Sequence, residues 1–375
     1  MYCDFYFTTT SRDYTSYTRA LEEEIKAHAA EIGKETSFGS IYLGGGTPSL
    51  LPLTLTVRIL ERLRTSFDVE PNAEVTVEAN PENVVGPEGI AYLKGLREMG
   101  VTRLSLGVQS FYDDDLKFMN RAHSAIHAEE AVSNVAQAGF DSFSVDLIFG
   151  LPEQPFEIWG ANLEKALRLG APHLSCYSLT VEERTPLHKM VQRGMVLATP
   201  DEELRQRFVF TADYLRERGF SHYEVSSHAM PGHESRHNTA YWKHETYIGF
   251  GPGAHSFVRR SNASAVRWSN TTPLGRWQAL LEQRHIPIAE QDQLGIDELA
   301  DEALMLGLRR LDVGLDVSDL QNRYGLDLLG DHAAVLAEME RAGLIHPIRN
   351  DRLRLTTEGA AVADSVALRL LGAGS

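Results

Sequence analysis

The stretch Ser40-Ile41-Tyr42-Leu43-Gly44-Gly45-Gly46-Thr47-Pro48 joins a short apolar, strand-like run to a glycine-rich turn. Further such runs stand at Glu74 to Ala79, Arg103 to Val108, Phe143 to Ile148 and His173 to Leu179, with amphipathic stretches near 52 to 67, 87 to 99, 124 to 139 and 156 to 169 between them. Short strands alternating with helices predict a parallel α/β sheet or barrel. Gly100, Gly139 and Gly170 close helical stretches, where a left-handed residue ends a helix. Upstream, a long helix near Tyr14 to Ile32 precedes the first strand. A repeating βα scheme puts a strand before that helix, so we expect a partial barrel lacking its first strand, with residues missing ahead of Met1.

Downstream of Thr180 the alternation fades through a helix near 201 to 218 and a strand-like run at His222 to Ser226, and a Gly/His/Ser-rich stretch runs on to about 257. From Asp297 the pattern changes to helices near 297 to 309, 317 to 323 and 331 to 342. A turn at Asn350-Asp351, alternating Arg352 to Leu355 and a last helix near 357 to 371 complete a winged-helix-like unit. The expected division is a barrel over 1–230, a connecting segment over 231–296 and the C-terminal unit over 297–375.

Hydrophobic residues at 43% and charged residues at 23% of 375 suit a globular chain of two domains. The formal charge of −16 disfavours nucleic acid and anionic membranes as partners, because binding there is driven by Lys and Arg. The C-terminal unit, with 14 acidic and 8 basic residues, has the wrong sign for DNA despite its outline. Two cysteines, Cys3 and Cys176, rule out a disulfide framework and fit a reducing compartment. No signal peptide and no apolar run of the ~18 residues that span a bilayer is present. A cytoplasmic protein is expected.

In parallel α/β folds ligands bind at the carboxyl ends of strands. Those positions hold Gly44 to Pro48, then Glu78 and Asn80, then Gln109, then Asp146, which predicts a polar small ligand. The triple glycine lets backbone approach a ligand closely, but it fits neither the dinucleotide fingerprint nor the phosphate-binding loop. Gly249-Phe250-Gly251-Pro252-Gly253 reads as a plain loop.

Taken in order, Tyr2-Cys3-Asp4-Phe5, Gly44-Gly45-Gly46-Thr47-Pro48-Ser49, Val77-Glu78-Ala79-Asn80-Pro81, Ser105 to Phe111 and Asp146-Leu147-Ile148-Phe149-Gly150-Leu151-Pro152 resemble the radical S-adenosylmethionine family. The resemblance is to the branch that holds oxygen-independent coproporphyrinogen oxidases and heme chaperones. It implies a [4Fe-4S] cluster on a C-x3-C-x2-C loop, S-adenosylmethionine on its open iron, and an electron donor. Cys3 matches the third cysteine of that loop, and the first two have no counterpart here. Tyr2, Gly45, Gly46, Thr47, Glu78, Gln109, Arg121 and Asp146 correspond to S-adenosylmethionine contacts. Carboxylates can accept from its ammonium or ribose hydroxyls, and Arg121 can pair with its carboxylate.

Six of the 14 histidines lie between His222 and His255, which favours iron or heme contact. His237-Asn238-Thr239-Ala240-Tyr241-Trp242 fits the H-N-x-x-Y-W pattern associated with heme in the chaperone branch. The resemblance makes His237 an axial ligand of the heme iron, with Asn238, Tyr241 and Trp242 around the macrocycle. A heme chaperone, handing heme to an acceptor protein, is the first reading. An oxygen-independent coproporphyrinogen oxidase and a clusterless heme-binding or interaction protein are the alternatives.

Overall fold

The computed structural model describes residues 13–32 and 36–372. Tyr2 and Cys3, and with them the expected cluster loop, lie outside the described residues. The described chain divides into two compact units, one of residues 13–18, 32, 36–221 and 226–234, the other of residues 19–31, 222–225 and 235–372. Helix α1 (Tyr14–Ile32) contributes to both.

The first unit is built on strands β1 (Ser37–Leu43), β2 (Asp68–Ala79), β3 (Arg103–Gln109), β4 (Phe143–Phe149) and β5 (His173–Ser178), each paired in parallel with the next. Helices α2 (Leu53–Ser66), α3 (Gly86–Glu98), α4 (Asp113–Phe118), α5 (Ala125–Gln137) and α6 (Phe156–Arg168) lie in the connections. All five predicted strands and their four predicted helices are present. Beyond them α7 (Pro186–Gln192) and α8 (Asp201–Arg216) lead to a hairpin of β6 (Ser221–Glu224) and β7 (Ser227–Ala229), giving the order β1-β2-β3-β4-β5-β7-β6. Because β7 returns from a tight turn it runs antiparallel to β5, so the sheet is mixed rather than wholly parallel.

Along each strand side chains alternate between two faces. Val75, Val77, Leu104, Leu106, Val145, Leu147, Leu174 and Cys176 point one way and form a single apolar cluster with Leu93, Leu96, Val132, Val135, Trp159 and Leu163 of the helices. Their neighbours Tyr42, Thr76, Glu78, Arg103, Ser105, Ser144, Asp146, His173 and Ser175 occupy the other face. A sheet covered by helices on both faces reads as continuous apolar runs; here one face is polar, and the strand ends open from it. Gly100, Gly139 and Gly170 sit at φ +87°, +86° and +80°, the left-handed stops expected of them.

In the second unit α9 (Arg236–Trp242) is followed by an antiparallel sheet of β8 (His255–Ser261), β9 (Ser264–Asn270) and β10 (Ile288–Leu294), with α10 (Leu274–Glu282) between the last two. Neither α9 nor this sheet was expected. Five of the seven residues of β10 are exposed and mostly polar, the dress of an edge strand, so its alternation is hidden. Then come α11 (Ile296–Gly307), β11 (Leu315–Asp316), α12 (Val317–Tyr324), α13 (Leu328–Asp331), α14 (Ala333–Arg341), β12 (Arg352–Leu353), α15 (Thr357–Ala361) and α16 (Ala363–Gly372). The β11–β12 pair lies within this largely helical region, and Asn350 and Asp351, at positive φ, form the expected turn between Arg349 and Arg352. The single last helix expected over 357–371 is two, parted at Val362. The loop of residues 249–253 is the plain loop expected: Gly251 N donates to Glu24 Oε2 at 2.8 Å and its carbonyl accepts from Asn270 Nδ2 at 2.8 Å. No helix among the described residues is long and apolar enough to cross a membrane.

Candidate functional site

At the end of β1 the chain turns through Gly44 to Gly46 beside the end of β2. Gly45 N donates to Glu78 Oε2 at 2.9 Å and the Tyr42 hydroxyl donates to Glu78 Oε1 at 2.9 Å. A Cβ on Gly44 would stand 2.5 Å from Tyr42 Cε1 and 2.8 Å from Glu78 Oε1, whereas Gly45 (φ +99°) and Gly46 face open space. The first glycine therefore lets backbone press against the carboxylate, and the next two leave room for a ligand.

A second chain of contacts runs across the ends of β2 and β3. Asn80 Nδ2 donates to Thr47 Oγ1 at 3.4 Å, and Arg121 Nη2 donates to Asn80 Oδ1 at 2.7 Å and to the Gly107 carbonyl at 3.1 Å. Gln109 has φ +66° where the β3–β4 register slips after Leu106, a bulge that re-aims the strand end. Backbone strain in a non-glycine residue there marks a position held by its surroundings.

Further along the polar face Asp146 accepts from Ser105 Oγ at 2.7 Å and Ser144 Oγ at 2.8 Å, and Ser144 Oγ lies 2.9 Å from Ser175 Oγ and 3.0 Å from His173 Nδ1. Burial raises the Asp146 carboxyl above the usual carboxylate range, against the lowering pull of the serine hydroxyls. Burial likewise raises Glu78, partly offset by Tyr42 and Gly45, and Asp146 adds to the rise. A positive group brought near such desolvated acids favours their charged forms.

Glu78, Gly45, Gly46, Thr47, Gln109, Arg121 and Asp146 thus collect on one polar face and rim. Sequence reading missed Tyr42 and the three serines that hold the two acids. The signal was present as alternation, since Ser144 and Asp146 are two apart on β4 and share a face.

His237, Asn238, Tyr241 and Trp242 lie in the second unit, on α9. Ser235 starts that helix: its Oγ accepts from Asn238 N at 3.2 Å, and an N-cap of this kind stabilises a helix by about 1 kcal/mol. His237 and Tyr241 are one turn apart on one face, rings 4.9 Å apart at 88°, and the Tyr247 ring is 4.6 Å from that of Tyr241. Arg309 lies over the Trp242 ring at 5.5 Å. Burial lowers the His237 imidazole to about 4 and pushes the Tyr241 phenol up to about 12. Near neutral pH both are uncharged, and an uncharged imidazole is the ligating form.

Three of the other five histidines of the cluster are placed elsewhere. His222 Nε2 is 3.1 Å from the Val225 carbonyl oxygen, His228 is buried within β7, and His244 contacts Arg259 and Glu302. Among the described residues no group of three His, Cys, Asp or Glu could hold a metal ion.

A profile of the radical SAM superfamily matches residues 1–166, and one of the HemN C-terminal domain matches residues 296–362. The solved structure of coproporphyrinogen III oxidase (HemN) from Escherichia coli, described as a radical SAM enzyme, superposes over 98% of this chain and 86% of its own with a TM-score of 0.81 at 20% identity. The fold is therefore the radical S-adenosylmethionine fold. Heme chaperone HemW of Bacillus subtilis is 32% identical over 99% of this chain and 95% of its own length, and that of Mycobacterium tuberculosis is 35% identical over 99% and 91%. A zebrafish protein named radical S-adenosyl methionine domain-containing protein 1, mitochondrial, is 32% identical over 97% and 82%. The chain belongs to the HemW/HemN branch of the radical SAM superfamily.

Membership implies a [4Fe-4S] cluster and S-adenosylmethionine. The polar face suits the latter: its acids suit the ammonium and sulfonium, and Arg121 suits the carboxylate. The cysteine loop that would hold the cluster lies outside the described residues. A cluster needs three thiolates on one loop, Cys3 lies outside the described residues, and Cys176 is buried on the helix-covered face with its thiol pushed up by that burial.

Proposed function

We propose that this protein is a heme chaperone of the HemW type, binding heme through α9 and passing it to an acceptor protein. The observation that carries this reading is the helical form of residues 236–242, which puts an uncharged His237 and the Tyr241 ring on one face. Of the two, His237 is the iron ligand. The phenol is held protonated, whereas a neutral imidazole is a good ligand for iron. Near full-length relatives named heme chaperone HemW support the reading.

In the same reading Gly45, Gly46, Thr47, Glu78, Gln109, Arg121 and Asp146, with Tyr2, bind S-adenosylmethionine, and Cys3 serves an iron-sulfur cluster. When bound, cluster and cofactor supply radical chemistry. The residues described here bind and orient: Gly45 and Gly46 give backbone access, Glu78 and Asp146 receive the positive end, and Arg121 the carboxylate.

Titration of the purified protein with ferric heme, followed in the Soret band, tests the proposal. Saturable binding that weakens by about tenfold or more in His237→Ala, with a changed Soret maximum, is the expected result. Equal affinity and an unchanged spectrum in that variant would remove His237 as ligand. Consumption of coproporphyrinogen by the protein would favour an oxidase instead.

A further inference from the structure

We infer that His244 is a positioning residue, whose imidazole fastens the end of α9 and so fixes the face that carries His237 and Tyr241. The functional meaning of this inference rests on the heme reading.

The backbone raises the question that the side chain answers. Helix α9 closes with His244 N donating to the Tyr241 carbonyl at 2.9 Å and Glu245 N donating to the Ala240 carbonyl at 3.1 Å, and His244 takes φ +58°. Glycine is the usual occupant of this left-handed stop, because a Cβ is disfavoured there. This chain uses glycine for the same purpose after α3, α5 and α6, at Gly100, Gly139 and Gly170. A histidine kept in such a position points to a task for its ring.

The ring is held on every side. It is buried, with 6% of the residue exposed, and stacks on Phe257 at 4.3 Å and 21°. Nδ1 lies 3.1 Å from Arg259 Nη2, which also donates to the His244 carbonyl at 3.3 Å. Nε2 lies 2.9 Å from Glu302 Oε2. Glu302 in turn receives Arg267 through two parallel bonds of 2.7 and 2.6 Å, a geometry that fixes the carboxylate in place. One imidazole therefore ties α9 to β8 through Phe257 and Arg259, and to α11 through Glu302, itself held by β9.

The tie reaches the heme face by two routes. Through the backbone, His244 sets where the last turn of α9 ends. Through the rings, Tyr247 pairs with Phe257 by reciprocal backbone bonds of 2.8 and 2.9 Å and lays its own ring against Tyr241, which meets His237.

His244→Gly separates a positioning role from a capping one, since glycine preserves the helix stop and removes only the ring. In the ligand-free protein, amide hydrogen exchange over residues 236–245 is expected to quicken about tenfold or more on losing a hydrogen-bonded tie of this kind. Unchanged or slower exchange would mean that His244 merely caps, and would overturn the inference without any appeal to heme. In the heme titration, His244→Gly is expected to weaken binding and broaden or shift the Soret band, with Glu302→Gln showing a smaller change in the same direction. Wild-type affinity and spectrum in His244→Gly would refute the inference while leaving the heme reading intact. Failure of the unaltered protein to bind heme would instead defeat the reading, and the exchange result would still decide whether His244 orders the helix.

Discussion

Glu78 and Asp146 show how single residues prepare a site. Each is desolvated and accepts hydrogen bonds from neutral donors, Asp146 adds to the rise of Glu78, and Arg103 partly offsets the rise of Asp146. The preparation depends on Gly44, against which Tyr42 and Glu78 press. Gly44→Ala should displace the Glu78 carboxylate, and equilibrium dialysis should show S-adenosylmethionine binding weakened by about tenfold, the value of one charged hydrogen bond. Undiminished binding would show that Glu78 takes no part in it. The acids and Gln109 were legible in the sequence because polar residues at the ends of apolar runs stand out. Tyr42, Ser105, Ser144 and Ser175 were not, because a hydroxyl within a strand gains a direction only once register is known. His244 escaped notice for a related reason: nothing in Lys243-His244-Glu245 tells a reader that the middle residue will stand at positive φ.

Among the elements, α1 carries the clearest titration signature. Glu24 and His28, one turn apart, are both buried. Glu24 accepts from Gly251 N at 2.8 Å and Asn270 Nδ2 at 2.5 Å, and His28 stacks on Trp268 at 5.4 Å. Burial raises Glu24 to about 8 and lowers His28 to about 4. Between the ordinary carboxylate value and about 8 the folded form holds a proton on Glu24 that the unfolded form has lost, so stability falls as pH rises. His28 has the opposite slope from about 4 to its ordinary value near 6.5, where the unfolded form binds the extra proton. The two oppose each other below 6.5, and above it only Glu24 of this pair contributes a slope. Denaturant melts should show stability falling from pH 6.5 to 8, by an amount on the order of 1–2 kcal/mol, and Glu24→Gln should flatten that fall. An unaltered slope in the variant would exclude Glu24 as its source. Leu147, in the middle of β4 and fully buried in the main cluster, offers a plain packing test: Leu147→Ala should cost about 2–5 kcal/mol in the same melts, and a loss under about 1 kcal/mol would mean that the β4 core tolerates a void. The βα elements were legible because their apolar period changes from 3.6 to two at each glycine stop. Helix α9 was obscured by its shortness and by a composition of His, Asn and Thr that suits loops, although Ser235 three residues before Asn238 was a visible N-cap. The sheet of β8 to β10 hid behind exposed arginines, glutamines and acids.

At the scale of the whole molecule, one chain joins a sheet whose polar face suits S-adenosylmethionine to a unit whose helix suits heme. On the proposed reading, it is the second feature that would separate a chaperone from an oxidase. Mixing the heme-loaded protein with a heme-free acceptor such as apomyoglobin should move the Soret band to that of the acceptor, while coproporphyrinogen incubated with the protein stays unconsumed. Turnover of coproporphyrinogen would reverse the assignment. The charge of −16 made nucleic acid an unpromising partner from the outset, and the winged-helix-like pattern expected of the C-terminal sequence does not alter that, because fold alone does not assign function. The most direct test of the account is a Soret titration of the intact protein beside its His237→Ala variant: one saturable heme site in the former, with affinity lost and the band shifted in the latter, is predicted, and identical curves for the two would contradict it.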